Sequence, residues 1–329
     1  MCFSHIGAHM YDNNHHLPVR PEPLLLAISA CLLGENVRYN GSNKHNNYII
    51  GHLKQNLEIL PVCPEMAIGL GVPRPPVQLV LKTRGIRCVG VTDKTLDVTD
   101  RLQQYTKHFL TQNPRLSGFI LTSKSPSCGM KNTKLFDQHD ELIRTDASGI
   151  FSATIMHYEP GMAIINDDQL ETAQSKVAFF IRVYAYARLN QAINAIDPNT
   201  ALKRLHANYL PLLRALSASL ASDLDQQLQD GLNSNVEVLL SKYKVLFNDI
   251  LSLTTSRQQL GESVLSLVLQ QIGPDNTDSC NAAHQIFKSY IDAQSEWPEM
   301  VKKLDMLMDS ARQNIQLHLQ WLVPLSILG

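Results

Sequence analysis

Three apolar runs in the first half of the chain each lead into a cysteine, and this pattern restricts the possible folds most. Residues 24–30 lead into Cys31 and residues 57–62 into Cys63, while residues 118–122 are followed by a turn that carries Cys128. Short apolar runs bounded by Pro and Gly are typical of buried strands. Because the carboxyl ends of parallel strands lie along one edge of a sheet, the pattern predicts three thiols at that edge.

Strand-like and helix-like segments alternate as far as residue 166, which predicts an α/β fold with a mostly parallel sheet flanked by helices. Beside the three cysteine-linked strands, the remaining predicted strands are 77–82, 86–91 and 162–165. The predicted helices in this part are 45–56, 97–112 and 149–158. Residues 130–148 are predicted to be irregular.

Residues after 166 are helical in pattern and poor in strand signals, so an all-α C-terminal domain is expected. A long helix is predicted over 168–195, and the later predicted helices are 199–227, 234–255, 258–272, 279–293 and 297–321. We divide the chain into four parts: a flexible N-terminal extension (1–22), an α/β domain with the cysteines (23–166), a connecting helix (167–197) and a helical domain (198–329).

The charges of the chain nearly cancel, since 29 Lys and Arg stand against 30 Asp and Glu. Residues 1–194 hold 19 of these basic residues and 16 acidic ones, and residues 195–329 hold 10 and 14. No apolar stretch is long enough for a bilayer and the N-terminus does not resemble a secretory signal, so a cytoplasmic protein without a membrane partner is expected. In the cytoplasm, metal binding or catalysis is a better interpretation of the cysteines than disulfides.

Several kinds of site are compatible with Cys31, Cys63 and Cys128. Structural zinc usually takes four ligands in closely spaced pairs, which the sequence lacks, and a cysteine nucleophile requires only one thiol. Three thiolates that leave a fourth position open fit an iron–sulfur cluster with one iron free for substrate. The spacing alone leaves these alternatives open.

The residues around the three cysteines resemble the thiouracil desulfidase (TudS-type) family over roughly residues 24–165. The matching segments are 29–34 with Arg38 and Lys44, the Cys-Pro-Glu segment 63–65 with Arg74, and the Ser-Pro-Ser-Cys-Gly segment 125–129. The resemblance implies a [4Fe-4S] cluster held by Cys31, Cys63 and Cys128. It also implies two catalytic residues, Glu65 and Ser125.

The chemistry implied by the resemblance is hydrolytic. The soft sulfur of a thiocarbonyl would bind the free iron, which makes the adjoining carbon electrophilic. Glu65 is expected to activate the attacking water, and Ser125 to donate a hydrogen bond or help move a proton. We expect the substrate to be bound by Arg38, Lys44, Arg74 and Ser127.

The segment 179–189 resembles the junction in proteins where this domain is fused to a helical domain, and these look like tRNA 4-thiouridine desulfidases. The expected substrate is therefore 4-thiouridine in tRNA. One alternative is the same chemistry on free 2-thiouracil or 4-thiouracil, and another is a non-catalytic metal-holding module that binds RNA or protein. Because the helical part is net acidic, it is also compatible with a lid, an oligomerisation surface or a scaffold.

Overall fold

The computed structural model describes residues 24–231, 236–253, 276–292 and 294–311, together with part of 258–269. The predicted N-terminal extension 1–22 lies outside the described residues. So do much of the predicted helix 258–272 and the last ten residues of the predicted helix 297–321.

The strands of the described part form two sheets of four. In chain order they are β1 (Leu25–Ser29), β2 (Glu58–Val62), β3 (Val77–Lys82), β4 (Gly85–Gly90), β5 (Leu116–Leu121), β6 (Thr133–Phe136), β7 (Leu142–Ala147) and β8 (Ala163–Asn166). The first sheet has the order β2-β1-β5-β8, and all its neighbouring strands are parallel. This sheet confirms the predicted parallel architecture.

The second sheet has the order β4-β3-β6-β7 and is mostly antiparallel. Its hairpin of β3 and β4 matches the two strands predicted from the sequence. The prediction that residues 130–148 are irregular was wrong, because β6 and β7 pair there. The first five residues of β7 are all exposed, so this strand lacks the apolar alternation that marks a strand in a sequence.

Helices flank the parallel sheet and make up the chain after β8 in the described residues. They are α1 (Lys54–Asn56), α2 (Pro64–Ala67), α3 (Thr99–Gln112), α4 (Ile150–Tyr158), α5 (Ala173–Ile193), α6 (Pro198–Leu216), α7 (Ala218–Gly231), α8 (Val236–Ser252), α9 (Thr277–Ile291) and α10 (Trp297–Ala311). The helix predicted over 45–56 is a π-helix, Ile49–Leu53, that continues into α1.

The single helix predicted over 199–227 is two helices, because the chain turns at Ser217. This residue has extended backbone angles, and its Oγ accepts a hydrogen bond from the Leu220 N–H over 3.4 Å. Serine is a favoured residue at the start of a helix, so Ser217 ends α6 and caps α7.

Helix α5 connects the sheet to the helical part of the chain. It packs against β5 and β8 on one side and against α6, α8 and α10 on the other. Because it is covered on both sides, it is buried around most of its circumference. Gly118 permits the close approach to β5, since a Cβ at this position would lie 3.1 Å from the Val183 side chain.

A polar contact fastens the end of α4 to α5 and α8. The carboxylate of Glu159 accepts a hydrogen bond from the Tyr186 hydroxyl over 2.8 Å and forms an ion pair with Lys244 over 2.7 Å. None of the helices in the described ranges has the length and apolarity to cross a bilayer. The domain boundary near residue 197 stays a prediction.

Candidate active site

The three cysteines follow three adjacent strands of the parallel sheet. Cys31 lies in a 3-10 helix, Ala30–Leu33, directly after β1. Cys63 follows β2 and precedes α2, and Cys128 lies in the loop after β5. Since β2, β1 and β5 are neighbours and parallel, all three residues lie at the same edge of the sheet.

Hydrogen bonds show that the loops carrying the thiols interleave at this edge. The Cys31 Sγ shares a hydrogen bond of 2.9 Å with the hydroxyl of Thr122, the residue that follows β5. The hydroxyl of Ser29, the last residue of β1, accepts a hydrogen bond of 3.0 Å from the Thr122 N–H and is close enough to the Cys128 thiol to lower its pKa slightly. The Cys63 thiol points toward the carbonyl of Val37 over 3.9 Å, in the loop that follows Cys31.

Burial raises the pKa of all three thiols. For Cys128 the rise is large, and the negative charge of Glu65, followed by those of Cys63 and Cys31 when they are ionised, adds to the effect of burial. Burial also raises the pKa of Cys31, against a smaller lowering by the hydrogen bond to Thr122. At neutral pH the groups are therefore protonated thiols, and a metal that binds them must displace their protons.

The three thiols supply the kind of donor that an iron–sulfur cluster requires. Within the described part of the chain, no three His, Cys, Asp or Glu side chains form a group arranged around one ion. A [4Fe-4S] cluster held by three cysteines binds each thiolate through a different iron. Three free thiols at one sheet edge match three irons of such a cluster. Their role as cluster ligands stays a prediction.

Glu65 is held beside the cysteines by two donors. Ser127 Oγ donates to Glu65 Oε1 over 2.7 Å, and Arg74 Nε donates to Glu65 Oε2 over 2.8 Å. Arg74 also donates to the carbonyls of Gly71 and Val37 over 2.8 and 2.9 Å. The carboxylate is thus fixed in one orientation, and its charge is close enough to raise the pKa of Cys128. Arg74 and Ser127, predicted to bind substrate, both contact Glu65.

Ser125 organises the turn that carries Cys128. Its Oγ accepts hydrogen bonds from the backbone N–H groups of Ser127 and Cys128 over 3.2 and 3.0 Å. Gly149 packs against the same turn, and its N–H donates to the Gly129 carbonyl over 2.7 Å. A Cβ at Gly149 would collide with the Ser127 carbonyl, so only glycine fits there without a shift of the turn.

The two remaining residues predicted to bind substrate lie at the same edge. Arg38 is half-buried, donates to the Ser42 hydroxyl over 3.1 Å, and its charge acts on Cys31. Lys44 forms an ion pair of 2.7 Å with Asp167 and donates to the Ser123 hydroxyl over 2.8 Å. All nine residues that the sequence pointed to therefore lie in the segments that follow β1, β2 and β5. Their chemical roles are not established by this placement.

Two polar residues at this edge were not singled out as site residues from the sequence. Thr122 contacts the Cys31 thiol, and Asp167 holds both Lys44 and the Ser123 N–H, the latter over 2.7 Å. Each directly follows the carboxyl end of a strand, β5 or β8. Position at a strand end is the one signal that would have identified them.

The other two cysteines of the described residues do not follow a strand of the parallel sheet. Cys88 is completely buried in β4, where burial strongly raises its pKa, as expected for a structural thiol. Cys280 is in α9, in the helical part.

Comparison with known proteins connects this edge to a family. The 2-thiouracil desulfurase family model matches residues 26–167. The uncharacterized protein YbbK of Bacillus subtilis (strain 168) is 30% identical over 111 residues, which are 32% of this chain and 73% of that protein. A solved structure of a [4Fe-4S]-dependent thiouracil desulfidase, TudS, is 29% identical and covers 44% of this chain and 91% of its own, with a TM-score of 0.36.

The matched residues include all eight strands, apart from the first residue of β1. They also include the three cysteines and the other predicted site residues. Through these residues the chain belongs to the 2-thiouracil desulfurase family. The helices after residue 197 lie outside the family match.

Proposed function

We propose that this protein is an iron–sulfur-dependent desulfidase, which replaces the sulfur of a thiolated nucleobase by oxygen and releases sulfide. The observation that carries the proposal is the position of three cysteines after three adjacent parallel strands, beside a glutamate fixed by two donors. Membership in the family supports a thiolated uracil as the class of substrate.

Cys31, Cys63 and Cys128 would hold a [4Fe-4S] cluster, in keeping with a donor set of three buried or half-buried free thiols. When bound, the cluster would supply a Lewis-acidic iron with an open position, which suits the soft sulfur of a thiocarbonyl. The overall change is a hydrolysis: water supplies the oxygen, and its two protons leave with the sulfur as hydrogen sulfide. No electron donor is required.

Glu65 is proposed as the base that takes a proton from the attacking water. Ser127 and Arg74 each occupy one lone pair of its carboxylate, so both oxygens retain capacity to accept a proton or a hydrogen bond. The two donors also restrict the rotation of the Glu65 side chain, so its carboxylate is held in one orientation toward the attacking water.

Ser125, Arg38 and Lys44 are proposed to contact the nucleobase. The Ser125 oxygen already accepts two backbone hydrogen bonds. Its hydroxyl proton can therefore be donated to the substrate. Arg38 and Lys44 bring positive charge to the same edge and are suited to the carbonyl oxygens of a uracil ring.

The substrate that we propose is 4-thiouridine in tRNA. Helices α6, α8 and α10 pack on α5, and this helical continuation is the arrangement that the resemblance associates with tRNA. The test is sulfide release by the full chain, purified without oxygen, from tRNA carrying 4-thiouridine, free 4-thiouracil and free 2-thiouracil. We expect the largest kcat/KM for tRNA. A larger value for a free base would assign that base instead. No release from any of them, with the cluster intact, would overturn the enzymatic proposal.

A further inference from the structure

Two lysines at the cysteine edge have an unusual backbone conformation. Lys124 and Lys131 have φ angles of 61° and 53°, in the left-handed region that L-residues other than Asn and Asp seldom adopt. Among the described residues, the one other non-glycine with positive φ is Asp140, which belongs to a tolerant residue type. Glycine or asparagine would adopt these backbone angles more readily than lysine does. The backbone conformation therefore does not explain why these residues are lysines.

The two lysines bracket the turn that carries Cys128. The Lys124 N–H donates to the Asn132 side chain over 3.0 Å, which places Lys124 beside the residue that follows Lys131. The Lys131 N–H donates to the Ser148 hydroxyl over 3.0 Å. The loop is therefore closed by backbone donors, and neither ammonium group is required for its shape.

The charges of these side chains are not neutralised within the part of the chain that the structure describes. Lys124, Lys131 and the nearby Lys134 of β6 are exposed, and none forms an ion pair with a described acidic residue. In contrast, Lys44 and Arg74 at the same edge are paired with Asp167 and Glu65. Three positive charges without a described acidic partner thus lie on the loop that follows β5 and on the start of β6, although the whole chain has a net charge of -1.

We propose that Lys124, Lys131 and Lys134 form a phosphate-binding rim that holds the backbone of an RNA substrate while a thiolated base enters the cysteine edge. This inference rests on the proposed function, and it adds the surface that distinguishes a polynucleotide from a free base. A free thiouracil has no phosphate and gains nothing from the rim. An RNA strand releases counterions for each phosphate that a lysine neutralises, which is the main source of sequence-independent affinity.

The test is tRNA binding by the double variant Lys124→Asn and Lys131→Asn, measured in the full chain by fluorescence anisotropy over a series of salt concentrations. Asparagine readily adopts positive φ, so the melting temperature should stay the same or rise. We expect the affinity for thiolated tRNA to fall about tenfold or more at low salt, and the salt dependence of log K to weaken by about one unit per lysine. The glycine pair, Lys124→Gly and Lys131→Gly, should behave in the same way.

The control removes the same charge from elsewhere, with Lys54→Gln in α1 and Lys302→Gln in α10, both exposed. Its tRNA affinity should match that of the wild-type protein within about twofold. Unchanged binding by the asparagine and glycine variants, while the wild-type protein still desulfurates tRNA, would overturn the rim and leave the proposed function intact. Wild-type protein that neither binds nor desulfurates tRNA, but releases sulfide from free thiouracil, would overturn the rim together with the tRNA assignment. Tighter binding to phosphatidylglycerol vesicles than to tRNA would also overturn it.

Discussion

Arg74 and Glu65 form a nearly buried ion pair, in which Arg74 Nε lies 2.8 Å from Glu65 Oε2 and the side chains are 4% and 13% exposed. The guanidinium also donates hydrogen bonds to the backbone carbonyls of Gly71 and Val37. Arg74 therefore connects the loop after β1 to the loop after β2. Removing one partner of such a pair leaves a buried charge without compensation, which is costly.

The first prediction concerns stability. Arg74→Met should lower the free energy of unfolding by about 3–5 kcal/mol, because Glu65 keeps only the Ser127 hydrogen bond. The control is Arg115→Met, which breaks the exposed ion pair with Glu58 and should cost about 0–1 kcal/mol. Urea unfolding of both variants gives the comparison. Equal effects would mean that the buried pair is not a major element of the site's stability.

The second prediction concerns the proposed base. Glu65→Gln keeps an oxygen for the Ser127 hydroxyl but cannot take a proton, so kcat for sulfide release should fall by about 10²–10⁴-fold. The iron content should stay at the wild-type level. Glu58→Gln, at the other end of β2, should leave the rate unchanged. Full activity of the Glu65 variant would remove this residue from the mechanism.

The third prediction concerns the packing of the Cys128 turn. A Cβ at Gly149 would collide with the Ser127 carbonyl and lie 2.8 Å from the Ser125 carbonyl oxygen, so Gly149→Ala should destabilise the protein by about 1–3 kcal/mol. A Cβ at Gly51 would point into open space, and this residue lies in a helical segment. Gly51→Ala should therefore stabilise the protein by about 0.5–1 kcal/mol. Thermal unfolding measures both changes, and a stable Gly149 variant would contradict the close packing.

The fourth prediction concerns the helical part. Burial lowers the pKa of His206 below its usual value of 6.5, against a smaller opposing effect of Asp225. The unfolded chain then binds a proton more readily than the folded one. The contribution of His206 to the free energy of unfolding is fully present above about pH 6.5. This contribution is lost as the pH falls through the lowered pKa of His206 in the folded state.

The measurement is the free energy of unfolding between pH 7.5 and pH 5 for the wild-type protein and for His206→Gln. The wild-type protein should lose more stability than the variant over this range. His206 also shares a hydrogen bond of 2.9 Å with the Tyr243 hydroxyl, so the variant is expected to be less stable at every pH. Parallel pH profiles would contradict the assignment of this dependence to His206.

The fold of the cysteine edge was predictable because its signals are local. Each of β1, β2 and β5 is a short apolar run that ends at a turn, and in a parallel sheet the carboxyl ends of such strands lie at one edge. The strand order β2-β1-β5-β8 was not predicted. The strands β6 and β7 were missed, because the exposed residues of β7 carry no apolar pattern and only pairing with β6 makes them a strand. The break at Ser217 was missed since serine is compatible with both a helix interior and a cap.

The site was predictable in its members but not in its contacts. The sequence pointed to Glu65, Arg74 and Ser127 separately, because each stands next to a cysteine or in a Pro-rich loop. The hydrogen bond between Ser127 and Glu65 joins positions 62 residues apart, and the one between Arg74 and Glu65 joins positions nine residues apart. Both depend on the tertiary fold, so no sequence pattern indicates them. The same holds for Lys44, which follows β1, and Asp167, which follows β8; the pairing of β1 with β5 and of β5 with β8 brings them together.

The decisive measurement is iron and sulfide analysis of protein purified under strict exclusion of oxygen. We expect a brown protein with about four iron atoms per chain, which releases sulfide from a thiolated uracil or tRNA. Changing any one of Cys31, Cys63 and Cys128 to serine should lower the iron content, whereas Cys280→Ser should not. A colourless protein with tightly bound zinc and no sulfide release would contradict the account.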